Sequence, residues 1–369
     1  MSFYLQALVL AAFASFLFVP QSPSRFIPIT ISTIWFLGVS CIYFQYGPMG
    51  QLEFYQNDQR FHWLLLTNSY VENIAFQFER LNSLRVPFTF PAYALSQVGL
   101  DVTLSLKFVS LCCALSNLVL IERFFVRREH KPNFLYFLMI AGSVTTFFSL
   151  LALRETMLML CVTQFFIGNS LSGKGVSLVV IMLLRPHLAI SVIFGQIWSN
   201  VFAKARVRFH FLLISASCIL PVVLGRMSFV VANSVLYGQP LELKRNLILR
   251  DEFVQVFSAF AGLQFLSVAY QTVEFSTRSL LFIRMIFPEI VIIPLSFAIT
   301  CFVFGSKLSR IQLSLLSGFV FFMAISSRTE FLSVRQSLPF MPAMGVVVLL
   351  SIVKLNRGKA SSRIVETAL

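Results

Sequence analysis

The continuity of its apolar runs limits this chain more than any other feature. Residues 3–19, 26–44, 104–121, 134–153, 209–225, 280–304, 311–327 and 338–353 are nearly free of charge. About 20 apolar residues let a helix cross a bilayer core of about 30 Å. A half-buried strand alternates apolar and polar residues at period two, and so does an outer-membrane barrel. These runs do not alternate, so they predict helices. Composition closes the soluble alternative. Charged residues are 12% of the chain and apolar residues 57%, with 42 Phe. A soluble domain carries about 25% charge. The expected fold class is all-α: a polytopic transmembrane helical bundle of about ten helical spans. It forms one integral membrane domain over 1–369, with two large external segments at 45–103 and 226–279.

The net charge of +14 is read first as a topology signal, because Lys and Arg collect on the cytoplasmic side. Arg123, Arg127, Arg128 and Lys131 follow the third run, and Lys204, Arg206 and Arg208 follow 176–203. Alternation from these clusters places the N-terminus outside and the C-terminus, with Lys354, Arg357, Lys359 and Arg363, in the cytoplasm. Residues 156–168 descend to a loop with Lys174, and 176–203 is broken by Arg185-Pro186-His187. Its first leg, 176–184, would reach only roughly 14 Å, so it predicts a hairpin whose tip sits at membrane depth. The first run lacks a basic leader and a cleavage site and predicts a retained helix. The absence of an Asn-x-Ser/Thr sequon favours a bacterial source, hence a multi-pass protein of the inner (plasma) membrane.

Cys41, Cys112, Cys113, Cys161, Cys218 and Cys301 all lie in apolar runs and are read as small core residues. His62, His130, His187 and His210 have no ligand spacing. No structural metal, cofactor or nucleic-acid partner is expected; a catalytic metal held by Asp58 stays open. Gly168-Asn169-Ser170-Leu171-Ser172-Gly173-Lys174-Gly175 resembles a phosphate-binding loop. It lacks the Ser or Thr after Lys that would hold magnesium, and it follows a membrane helix rather than a strand.

Four polar clusters fall at the external ends of the runs. They are Phe54 to Trp63 around Asp58, then Arg154-Glu155-Thr156, then Arg185-Pro186-His187, then Arg328-Thr329-Glu330 with Arg335. Ionisable groups at membrane depth are costly and default to functional candidates. Arg presents a fork that pairs with phosphate oxygens. Arg154, Arg185, Arg328 and Arg335 therefore suit a diphosphate whose lipid tail lies in the bilayer. Tyr55 and Trp63, with their aromatic neighbours, suit sugar faces. A carboxylate or His could take a proton from an acceptor hydroxyl; Asp58, Glu155 and His187 all stand as candidates.

The order of these motifs resembles a family. A long first external loop with an Asp-centred aromatic motif precedes an "LRE" tip, an "RPH" tip and "RQSLPFMPA" before the last helix. The chain resembles, over nearly its whole length, bacterial polysaccharide polymerases of the Wzy and EpsG type. The resemblance implies a glycosyltransferase on the periplasmic face. It would join undecaprenyl-diphosphate-linked oligosaccharide units, with membrane lipid around it and a chain-length regulator or flippase as candidate partners. Roles in diphosphate binding would fall on Arg154, Arg185 and Arg335.

Structural explanations compete at each cluster. Arg154-Glu155 could cap a helix, and Arg185-Pro186-His187 could be a plain proline break. The Asp58 segment could be an aromatic belt, and Arg328 and Arg335 could anchor a helix end. Residues 70–85 carry Val71, Ile74, Phe78 and Leu81 at helical spacing and read as a surface amphipathic helix. Two other functions share these parts. One is a GT-C-type transferase adding a single sugar from a polyprenyl-phosphate donor, with Asp58 and Glu53 as its acidic mark. The other is a lipid-linked oligosaccharide flippase, which the broken segment 176–203 suits but the lack of a repeat does not.

Overall fold

The computed structural model describes residues 2–47, 56–67, 70, 85–127, 143–202, 293, 296–297, 299–300, 309–329 and 338–350. Every regular element among the described residues is helical. The helices are α1 (Phe3–Phe18), α2 (Phe26–Tyr46), α3 (Gln56–Thr67), α4 (Val86–Gln97), α5 (Val102–Arg127), α6 (Ser143–Ser149), α7 (Glu155–Ile167), α8 (Leu171–Leu184), α9 (Pro186–Phe202) and α10 (Arg310–Thr329). A short 3₁₀ turn, Leu338–Phe340, then opens α11 (Leu338–Leu350).

The polar residues of the connections set how the helices run. Ser2 caps α1 by accepting from the Leu5 N–H. Phe3 at the start of α1 stacks on Tyr43 near the end of α2, with ring centroids 3.7 Å apart, so these two helices are antiparallel. Helix α5 runs parallel to α1. At one end the Asp101 N–H donates to Gln6 Oε1 at 2.9 Å. At the other, the Ser22 hydroxyl donates to Glu122, and Arg123 Nε donates to the Gln21 carbonyl at 2.7 Å. Helix α7 packs on α5, and α8 returns along α7.

The buried centre is aromatic and aliphatic; its largest fully buried side chains include Trp35, Phe88, Phe125, Phe148, Phe297, Phe319, Phe322 and Phe340. The outward faces are apolar too. Phe16 is 76% exposed, Phe44 85% and Val176 63%. A helix on a soluble surface turns a polar face outward; α1, α2 and α8 do not. Among the described residues, two helices, Phe26–Gln45 and Val102–Arg127, are long and apolar enough to cross a membrane.

Several boundaries differ from the sequence reading. Arg123 and Arg127 are not in a loop after the third run but on the last turns of α5. Lys174 is not in a loop either, since α8 starts at Leu171, where Ser170 accepts from the Gly173 N–H. The first leg before Arg185 is therefore 14 residues, roughly 21 Å of helix rather than half a bilayer. Gly168 and Gly173 permit this early start, because Gln164 of α7 lies against both positions. The segment 45–103 contains α3 and α4 rather than a plain loop, with Phe88, Thr89 and Ala92 buried. The segment 226–279, the run 209–225 and nearly all of 70–84 lie outside the described residues.

Candidate functional site

The site is built around the irregular turn at residues 150–154, between α6 and α7. Backbone carbonyls in such a turn lose their helical partners and must be satisfied otherwise. Three helices supply donors. Trp35 Nε1 of α2 donates to the Ser149 carbonyl at 3.0 Å. His62 Nδ1 of α3 bonds the Ala152 carbonyl at 2.8 Å. The Ser110 hydroxyl of α5 donates to the Leu153 carbonyl at 3.1 Å. The turn is thus held from three sides, and it presents Arg154 and Glu155.

The partners fix the state of His62. A carbonyl can only accept, so Nδ1 carries the proton. Nε2 faces Arg85 Nη1 at 3.0 Å, and a guanidinium can only donate. Both ring nitrogens are satisfied only in the neutral tautomer. Full burial, and then the Arg85 charge, lower the His62 pKa from 6.5 to about 3. His62 is therefore no base at neutral pH. It positions Arg85 and the turn. The Arg85 guanidinium also lies over the Phe61 ring, 4.2 Å from its centroid.

Arg154 and Arg185 come together at the end of α8. Arg154 Nη1 donates to the Leu184 carbonyl at 2.7 Å, placing a cation at a helix C-terminus, where the dipole favours it. Arg185 is the single non-helical residue between α8 and α9, at φ −156° and ψ 82°. The cause is local: a residue before proline avoids the α region, and Pro186 sits well at the first position of α9. Arg154 is 8% exposed, Arg185 4% and Glu155 0%. His187 stacks on Phe322 of α10, centroids 5.5 Å apart and planes within 1°. The charges of Arg85, Arg154 and Glu155 all act on His62, and those of Arg185 and Arg154 on His187. Segments far apart in sequence thus share one electrostatic environment.

Among the described residues, three guanidinium groups and one carboxylate make this cluster cationic. Lys107 is also buried, one turn before Ser110 on α5. Among the described residues no three His, Cys, Asp or Glu side chains group as a metal site would require.

Of the sequence-derived candidates, Arg154, Glu155, Arg185 and His187 are brought together. Asp58 lies on α3 four residues before His62, one turn away in register. Trp63 is half-buried on the same helix. Arg328 lies on α10, six residues beyond Phe322. Tyr55 and Arg335 lie outside the described residues. Sequence reading missed Arg85, Lys107 and the role of His62. The only signal for Lys107 was a lone cation within an apolar run.

No protein-family model matches the chain, and no curated protein or solved structure matches it. The site is read from its own chemistry.

The His62 arrangement carries a pH prediction. The unfolded ring titrates near 6.5 and the folded ring near 3, so the unfolded state binds the extra proton first. Stability linked to His62 is full above pH 6.5 and is lost as pH falls from there toward 3, by up to about 1.4 kcal/mol per pH unit. Thermal unfolding in detergent from pH 7.5 to 5 should therefore show a smaller pH slope in His62→Phe than in wild type. Equal slopes would refute the neutral buried ring.

Proposed function

We propose that this chain is an integral membrane glycosyltransferase. It polymerises polysaccharide repeat units carried on undecaprenyl diphosphate, at the periplasmic face of a bacterial inner membrane. About ten spans, with the N-terminus outside, go with this reading. The observation that carries it is the cationic cluster among the described residues: buried Arg154 and Arg185, with half-buried Arg85, around buried Glu155, inside a bundle with apolar outer faces. Cations within a membrane bundle are costly and mark candidate substrate sites. A diphosphate on a lipid tail complements their charge and would reach them from the bilayer.

In this reading Arg154 and Arg185 bind the diphosphate and stabilise it as the leaving group. His62 and the 150–154 turn hold them in place. Glu155, His187 or Asp58 assists the acceptor hydroxyl, and Trp63 and Tyr55 contact sugar. Arg328 and Arg335 are further diphosphate contacts. The break between α8 and α9 also favours a second reading, a flippase for the same lipid-linked oligosaccharide, since transporters place broken helices at their sites.

A gel of surface polysaccharide from a strain lacking the protein separates the two. Loss of the ladder with a single repeat unit retained is the expected result. Loss of every repeat unit, with lipid-linked precursor accumulating inside, would reject the polymerase and favour the flippase.

A further inference from the structure

A second site lies at the other end of α5 and α7. Ser110 on α5 is level with the 150–154 turn, and Arg123 and Arg127 follow roughly 20–25 Å further along the helix. There a cavity of about 370 Å³ opens between the last turns of α5, the end of α7 and the turn at 168–170 that starts α8. Apolar Leu120, Phe124 and Leu160 line it beside polar Gln164, and Arg123, Arg127 and Ser170 line it as well.

We propose that this cavity binds the phosphate headgroup of an anionic lipid. Three features point to an anion. Arg123 is anchored through Nε on the Gln21 carbonyl, which leaves its terminal nitrogens to serve the cavity. Arg127 stands one turn further along the same helix. The N-terminus of the 14-residue α8 faces the same space, with a partial positive charge. The Ser170 hydroxyl takes the Gly173 N–H and bonds the Ser172 hydroxyl, leaving the N–H groups of Leu171 and Ser172 to an incoming oxygen. The nearest acid on α5, Glu122, is engaged by Ser22 and does not line the cavity.

The apolar wall selects the source of the phosphate. Inorganic phosphate would leave Leu120, Phe124 and Leu160 wet. A phosphate joined to alkyl chains covers both surfaces, and basic pockets between membrane helices are known to take such headgroups. The glycine-rich stretch that mimics a nucleotide loop thus acquires a different use: it turns the chain tightly from α7 into α8 and aims the helix N-terminus at a lipid.

The inference rests on the membrane reading above. The test is native mass spectrometry of the full chain in neutral detergent, titrated with phosphatidylglycerol or phosphatidylcholine of the same acyl chains. The chain should retain one phosphatidylglycerol in preference to phosphatidylcholine. Arg127→Gln, at an exposed helix end, should weaken retention about fivefold, and Arg123→Gln/Arg127→Gln further. Equal retention of the two lipids, or wild-type retention by both variants, would overturn the site. Protection against unfolding by millimolar inorganic phosphate alone, matching that of the lipid, would overturn the choice of a lipid. A chain that stays in solution without detergent would instead sink the membrane reading itself.

Discussion

On the polymerase reading, Arg154→Gln is expected to leave a folded protein, somewhat lower in melting temperature, whose polymer output falls about 10²- to 10³-fold, the loss seen when one electrostatic donor is removed from a transition state. The two tasks of Arg154 make this substitution informative. Its Nη1 satisfies the Leu184 carbonyl at the buried end of α8. Its charge faces the space shared with Arg185 and His187. A glutamine keeps a polar amide but carries no charge, and its nitrogen falls two bonds short of Nη1, so the bond to Leu184 is weakened or lost. Arg154→Ala removes both, leaving a buried carbonyl unsatisfied at about 1–3 kcal/mol, so it should lose stability as well as output. Arg154→Lys keeps charge without the planar fork and should fall between. Polymer length and amount, compared at equal protein level and alongside melting temperature, decide the matter. A Gln variant that melts lower but keeps a normal ladder would reduce Arg154 to a helix cap.

That outcome also bears on what could be read in advance. The all-helical class was legible because the apolar runs never alternate. The break at Arg185 was legible because Pro186 restricts the residue before it. The meeting of Arg154-Glu155 with Arg185 and His187 was foreseen only as a shared side of the membrane; the bond from Arg154 to Leu184 depends on α8 returning beside α7. The pairing of His62 with Arg85 spans 23 residues with no periodic pattern between them. It exists because α3 and α4 pack on α5, and that is tertiary. The start of α8 was misread because its Gly- and Ser-rich composition signals a loop. The Ser170 cap and the packing of Gln164 override that signal. Arg123 and Arg127 extend α5 past its apolar run because long cationic side chains at a helix end complement the dipole.

One packing device was legible and escaped notice. Ser191, Gly195 and Ser199 recur every four residues on α9, and Ser314 and Gly318 do so on α10. Small residues at this spacing let membrane helices approach closely. The two helices form the most extensive contact among those described. A Cβ at Gly195 would fall on the Ser314 carbonyl and within 2.9 Å of the Gly318 backbone. At Gly318 a Cβ would stand 3.0 Å from the Ser191 carbonyl and no nearer than 3.7 Å to anything else.

Gly195→Val should therefore have the largest effect on folding. The obstacle is backbone on the partner helix, so no side-chain rotation relieves it, and the helices must part. Parting them breaks the stack of Phe194 on Phe321, whose centroids are 4.2 Å apart, and that of His187 on Phe322. The damage thus reaches the site, because His187 is held from α10. Overpacking by one methyl costs about 1–3 kcal/mol, which sets the expectation for Gly195→Ala; the branched side chain of valine should exceed it and leave little folded protein. Gly318→Ala should be mildest, since a shift of a few tenths of an ångström clears its one close contact. The order of loss in melting temperature and in monodisperse yield from detergent should be Gly195→Val, then Gly195→Ala, then Gly318→Ala. If Gly195→Ala melts with wild type, the close crossing is wrong, and with it the route by which α10 supports His187.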